Sequence, residues 1–160
     1  MREKAIEVLS KLSIQYELVE HKSTHSIDET KSLDIMKYGQ ICKNLFLRDS
    51  KGENHYIIVM RSDIRADIKA IASQLNVSKL GFASENRLQT VLNIQQGAVS
   101  PLNVINDKSH NVVVVFDNTL KGNKKLGMHP NDNTATVWID FSDLQRVISH
   151  YGNPIRYIDI

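Results

Sequence analysis

The run Gly127-Met128-His129-Pro130-Asn131-Asp132-Asn133-Thr134-Ala135-Thr136 gathers glycine, histidine, proline, two asparagines and two threonines in one short stretch. Glycine lets a backbone approach another group closely, proline fixes the next turn, and amides and hydroxyls supply hydrogen bonds. The run leads straight into the strand-like Thr136-Val137-Trp138-Ile139, a place where a pocket mouth is built. Taken alone, this composition is better read as a polar hairpin loop. A second stretch alters that balance. Cys42-Lys43-Asn44-Leu45-Phe46-Leu47-Arg48-Asp49 reads as a buried strand with a lysine and an asparagine near its start. A lysine in an apolar strand is costly unless it reaches solvent, a partner or a ligand.

Other reactive side chains point to simpler roles. Cys42 adjoins a strand core with no evident base beside it, which fits a buried structural thiol rather than a nucleophile. Ser100, in Gly97-Ala98-Val99-Ser100-Pro101, lacks the following glycine of a nucleophile elbow and reads as a turn or helix-cap serine. His21 and His25 have the spacing of metal ligands on a helix, but they precede a helix start and no third ligand follows, so a surface loop is expected and no metal. There is no phosphate-cradling glycine loop and no dinucleotide fingerprint, and no cofactor is expected.

These stretches, with Phe82-Ala83-Ser84-Glu85, resemble the bacterial prolyl-tRNA deacylases, free-standing relatives of the editing domain inserted in prolyl-tRNA synthetase. The order is the family's: Lys-Asn-Leu-Phe-Leu, Phe-Ala-Ser-Glu, Gly-x-x-Ser-Pro, then Gly-x-His-Pro-Asn-x-Asn-Thr-Ala-Thr. It covers the chain from about Ile14 to about His150. The resemblance implies hydrolysis of mischarged aminoacyl-tRNA, with alanine on proline tRNA as the expected substrate. Cysteine on the same tRNA, or a non-catalytic tRNA- or amino-acid-sensing regulator of proline metabolism, are the alternatives. It also implies that Lys43, Gly127 and His129 form the active site. Asn44, Gly97, Ser100, Pro101, Pro130, Asn131 and Thr134 would then border the substrate. The implied partner is the tRNA acceptor end, with association to prolyl-tRNA synthetase or an elongation factor as a further expectation. Relatives carry proline and threonine near residues 22–26, where this chain has Lys22-Ser23-Thr24-His25-Ser26, so amino-acid preference is where this chain departs most.

The elements that must hold these residues follow from periodicity. Ala5, Ile6, Leu9 and Leu12 have helical spacing, and Tyr16–Val19 alternates like a strand. Ser26-Ile27-Asp28-Glu29 has the form of a capping box, predicting a second helix. Leu45–Leu47 and Tyr56–Met60 flank Ser50-Lys51-Gly52-Glu53 as a hairpin. Ile64, Ile68, Ile71, Ala72 and Leu75 form a helical stripe, and Ser84 is placed to cap a short helix. Val112–Phe116 reads as a central strand, Thr136–Ile139 as another, Phe141–Ile148 as a helix and Ile155–Ile160 as a last strand. Irregular alternation with a hairpin predicts an α+β domain, and the resemblance implies a mixed, partly barrel-like sheet flanked by helices, the fold of the YbaK and prolyl-tRNA synthetase editing domains.

The 160 residues predict one domain, 1–160, with an ordinary core. A net charge of +2 does not by itself demand a nucleic-acid partner, although Lys121, Lys124 and Lys125 precede the Gly127 run, where they could meet phosphates. A single cysteine excludes an internal disulfide and fits a reducing compartment. The charged start Met1-Arg2-Glu3-Lys4 and the lack of a long apolar run predict a cytoplasmic protein that does not enter membranes.

Overall fold

The computed structural model describes residues 2–23 and 39–160. The capping box at Ser26–Glu29 and His25 lie outside them. Eight strands form one mixed sheet in the order β1 (Tyr16–Glu20), β7 (Ala135–Ile139), β6 (Leu126–Met128), β2 (Gln40–Asp49), β3 (His55–Arg61), β5 (Val113–Asp117), β8 (Ile155–Ile158), with β4 (Leu80–Phe82) also on β2. The helices are α1 (Arg2–Lys11), α2 (Ile68–Gln74), α3 (Glu85–Arg87) and α4 (Phe141–Tyr151). The α+β reading and the expected hairpin both hold: β2 and β3 are antiparallel, with Lys43 opposite Met60 and Arg48 opposite His55. The stripe from Ile64 becomes a helix only at Ile68, because the Asp67 carboxylate accepts the Ala70 N–H and starts it there.

β2 organises the sheet. Its first residues pair in parallel with β6, Gln40 with Leu126 and Ile41 with Gly127. Its last residues pair with β4, Leu47 with Phe82 and Asp49 with Leu80. Both partners lie on the edge of β2 away from β3, and Lys43, Asn44 and Leu45 fall between them.

Alternation along β2 separates two apolar layers. Cys42 and Phe46 join the larger one, with Ala5 and Leu9 of α1, Leu144 and Ile148 of α4, and Leu126, Met128 and Val137 of the sheet. Leu47 joins the smaller one, with Ile58, Val115 and Ile71, Ala72 and Leu75 on and just after α2, and Leu45 packs against it. Lys43 shares the α2 face with Leu45 and Leu47. Asn44 points the other way.

Candidate functional site

Lys43 spans the gap on the α2 face. Its Nζ donates to the Ile64 carbonyl at 2.6 Å, so the ammonium is fixed by the connection between β3 and α2. The parallel ladder between β2 and β6 ends at Ile41 and Gly127, two residues before Lys43 and His129 respectively. Pro130 follows His129, buried and unable to donate to a ladder.

Gly127 is buried inside β6, beside Ile41 on one strand and Trp138 on the other. A Cβ there would come within 2.7 Å of the Trp138 ring and 2.8 Å of Ile41 Cδ1. The glycine therefore lets two large side chains close over the strand that leads into His129.

His129 is half-buried, and its Nδ1 lies 3.0 Å from the Ala135 carbonyl oxygen. A carbonyl can only accept, so Nδ1 carries the proton and Nε2 of the neutral ring is an acceptor. Burial lowers the His129 pKa, opposed by the Ala135 bond and aided by His21, so the ring is neutral at pH 7. His21 is not a free loop histidine. Its ring lies 6.2 Å from that of His129, its Nδ1 donates to the Lys22 carbonyl at 2.7 Å, and its Nε2 meets the Thr136 hydroxyl at 2.9 Å. No group of three metal-ligating side chains occurs among the described residues.

The loop between β6 and β7 is braced from two sides. Asn131 is left-handed at φ 67° and 3 % exposed, and its side-chain oxygen accepts from Asn103 Nδ2 at 2.7 Å. Asn103 belongs to the 3-10 turn Pro101–Asn106, and its Oδ1 accepts the Ser100 N–H at 2.6 Å. Ser100 Oγ in turn accepts the Leu102 N–H, the helix-cap role its sequence suggested. Ser100 and Pro101 are buried, while Gly97 makes a turn at φ 91°. On the other side Arg2 of α1 donates to Asp132 Oδ2 at 2.9 Å, to Thr134 Oγ1, and to Glu20 at 3.0 Å. Burial alone would raise the Asp132 carboxyl, but the bonds from Arg2 and Thr134 outweigh it and hold the acid below the ordinary carboxylate range.

A polar cleft of about 420 Å³ lies beside this loop, between Asn131–Asn133 and the segment carrying Gln89, Asn93 and Gln95. Two buried amide atoms, Asn44 Oδ1 and Asn131 Nδ2, have no hydrogen-bond partner among the described residues. Such groups cost about 1–3 kcal/mol each, a strain that functional sites carry.

Cys42 is buried, and burial pushes its thiol up to about 12, which rules out a thiolate nucleophile at neutral pH. The three lysines before the loop are each engaged: Lys125 with Glu17 at 2.6 Å, Lys124 with Asp140 at 3.7 Å, and Lys121 over the Tyr157 ring at 4.4 Å. Motif and spacing alone do not reveal Arg2, Asn103, Asp132 or the placement of His21. Only His21 leaves a local trace, as a histidine just beyond a strand.

A family model for the aminoacyl-tRNA editing domain matches residues 21–147. The chain is 42% identical, over 99% of its length and 97% of the relative's, to the prolyl-tRNA editing protein ProX of Acetoanaerobium sticklandii. It is 30% identical to prolyl-tRNA synthetase associated domain-containing protein 1 of Mus musculus, over 91% of this chain and 88% of that one. A solved structure described as a candidate trans-editing enzyme for prolyl tRNA synthetase superposes with a TM-score of 0.76 at 17% identity, covering 99% of this chain and 94% of that one. No helix among the described residues is long and apolar enough to cross a membrane.

Proposed function

Because this chain belongs to the aminoacyl-tRNA editing domain family, we propose that it hydrolyses the ester of mischarged proline tRNA, with alanine as the amino acid removed. What supports the reading is the gap in the edge of β2 between its pairings with β6 and β4, which contains Lys43, in a chain that also carries the Gly127–Thr134 run of the family's motif. A proline-shaped synthetase pocket cannot strongly reject smaller alanine, since a methylene or two is worth only about 1–3 kcal/mol. A second, smaller pocket can exclude proline by overlap.

Water adds to the ester carbonyl, the bond to the ribose 3′-oxygen breaks, and that oxygen leaves with a proton. An acyl ester is already activated, so alignment of water, ester and ribose hydroxyl carries much of the barrier reduction. Lys43 holds the negatively charged end of the substrate as a point charge. Backbone N–H groups of the loop face the developing oxyanion. His129, neutral with Nδ1–H committed to Ala135, offers Nε2 only as an acceptor and orients the substrate. Asn44 and Asn131 shape the walls. We place the protein in the cytoplasm, with free mischarged tRNA as its partner, and association with prolyl-tRNA synthetase would show as co-purification.

The test is single-turnover deacylation of alanyl-, cysteinyl- and prolyl-tRNA side by side. Rapid loss of alanine with prolyl-tRNA untouched is expected. Preference for cysteinyl-tRNA would overturn the amino-acid assignment, and inertness toward all three would overturn the reaction.

A further inference from the structure

The α2 face of the sheet continues from Lys43 into a second feature that the site does not use. β4 lies beside the end of β2, and between β4 and α2 runs an open groove of about 790 Å³. Ile68, Ala72 and Val77 give it an apolar floor, and Phe82, 64 % exposed, stands at its side. Phe82 is the most exposed large apolar side chain among the described residues. Lys69 and Lys79 line the groove, both are exposed, neither has an ion-pair partner among the described residues, and no acidic side chain lines it.

Phe82 pairs directly with Leu47, so its ring projects on the face that carries Leu45 and Lys43. Leu47 is four positions along the strand from Lys43, roughly 13 Å along β2. An exposed aromatic ring flanked by unpaired lysines, on the same face as the site, has the chemistry of single-stranded RNA recognition: the ring stacks a base and the cations meet the backbone.

We infer that this groove holds the unpaired 3′ strand of the tRNA acceptor end, with a base preceding the terminal adenosine stacked on Phe82 and the adjoining phosphates against Lys69 and Lys79. The inference rests on the aminoacyl-tRNA reading and adds a docking subsite to it. Stacking tolerates any base, so the subsite supplies affinity and register for the strand, and sequence discrimination lies elsewhere.

The test measures affinity for an uncharged acceptor-stem minihelix and for the same minihelix lacking its unpaired 3′ nucleotides, with wild type, Phe82→Ala, Phe82→Trp and Lys69→Glu/Lys79→Glu. Wild type should bind the complete minihelix more tightly, and Phe82→Ala should lose about 5- to 150-fold on it while binding the truncated one as wild type does. Phe82→Trp should retain or improve binding. The double lysine variant should flatten the salt dependence, by about 0.7 in log–log slope for each phosphate that is no longer neutralised. Equal loss on both minihelices, or no loss with Phe82→Ala, overturns the subsite. Sedimentation showing a wild-type dimer that Phe82→Ala dissociates also overturns it, since the groove would then be an interface between copies. Deacylation of alanyl-tRNA by wild type is followed in parallel: its absence removes the reaction, whereas its presence with Phe82-independent binding removes only the groove.

Discussion

At the scale of single residues, Lys43 carries a charge fixed by the Ile64 carbonyl, whereas His129 is a neutral ring whose Nδ1–H is committed to Ala135. Lys43→Ala removes one hydrogen bond to the Ile64 carbonyl, so stability should fall by about 1 kcal/mol while deacylation falls by orders of magnitude. Circular dichroism and single-turnover rates on one preparation check both halves, and a folded variant with the wild-type rate would remove Lys43 from the site. His129 and His55 are both held below the ordinary histidine range, each chiefly by burial, with Arg87 adding to the effect at His55. The unfolded rings, near 6.5, therefore take up protons first. Stability should decline as pH falls from about 7 through 6.5, and level off once the folded rings also protonate. Urea midpoints across this range should flatten in His55→Gln/His129→Gln, and an unchanged slope would show that other groups set it. Gly127 shows how far the sequence could be read. Its type and neighbourhood were legible, but the reason for it is the meeting of Trp138 and Ile41, contributed by two other strands. Gly127→Ala should accordingly lower activity by displacing the Trp138 ring or Ile41, whose movement near-ultraviolet circular dichroism would detect.

At the scale of elements, the β6–β7 loop is held by α1. The Arg2–Asp132 pair is part-exposed, so its loss should cost about 1 kcal/mol or less in stability. It fixes the loop two residues beyond Pro130, and small displacements near reacting groups are expensive. Asp132→Asn and Arg2→Ala should each lower the deacylation rate several-fold with a thermal midpoint close to wild type. If either lowers the midpoint and leaves the rate unchanged, the clamp is structural only. Local patterns served the strands and helices well: the hairpin, the Ser84 cap and α4 follow from spacing and capping chemistry that act within a few residues. They could not reveal pairings such as Arg2 to Asp132 or Asn103 to Asn131, where partners lie far apart in the chain and the residue types are ordinary. Residues 40–49 show the same limit, since their apolar run predicts a strand but not that its edge is shared between β6 and β4.

At the scale of the whole molecule, the sheet must hold two apolar layers in register so that Lys43 stays on one face and Asn44 on the other. A buried polar bracket contributes to this. Asp107 is 2 % exposed and ends the 3-10 turn Pro101–Asn106. Its carboxylate accepts from Ser109 Oγ at 2.7 Å, the Val112 N–H at 2.9 Å and Asn153 Nδ2 at 2.8 Å. Asn153 also donates to the Val112 carbonyl at 3.0 Å, so the bracket joins the turn, the start of β5 and the approach to β8. Burial would raise the Asp107 carboxyl, but the bonds from Val112, Ser109 and Asn153 outweigh it and hold it below the ordinary range. A depressed folded value stabilises the native state above the unfolded carboxyl's range, near pH 4, and that contribution is lost as pH falls through the folded value. Asp107→Ala leaves the Val112 N–H and the Asn153 amide without this acceptor and should cost about 3 kcal/mol at neutral pH. Asp107→Asn keeps the shape but substitutes a weaker acceptor, and should lie between the two. Because the Asp107 carboxylate is bonded to Ser109, Val112 and Asn153 and not to Lys43 or the Gly127–Thr134 loop, deacylation by the folded fraction of either variant should match wild type. Urea denaturation at pH 7 and pH 3.5 decides the matter: the gap between wild type and Asp107→Ala should narrow at the lower pH. A gap of the same size at both would mean that the carboxylate's charge is not what holds the bracket together.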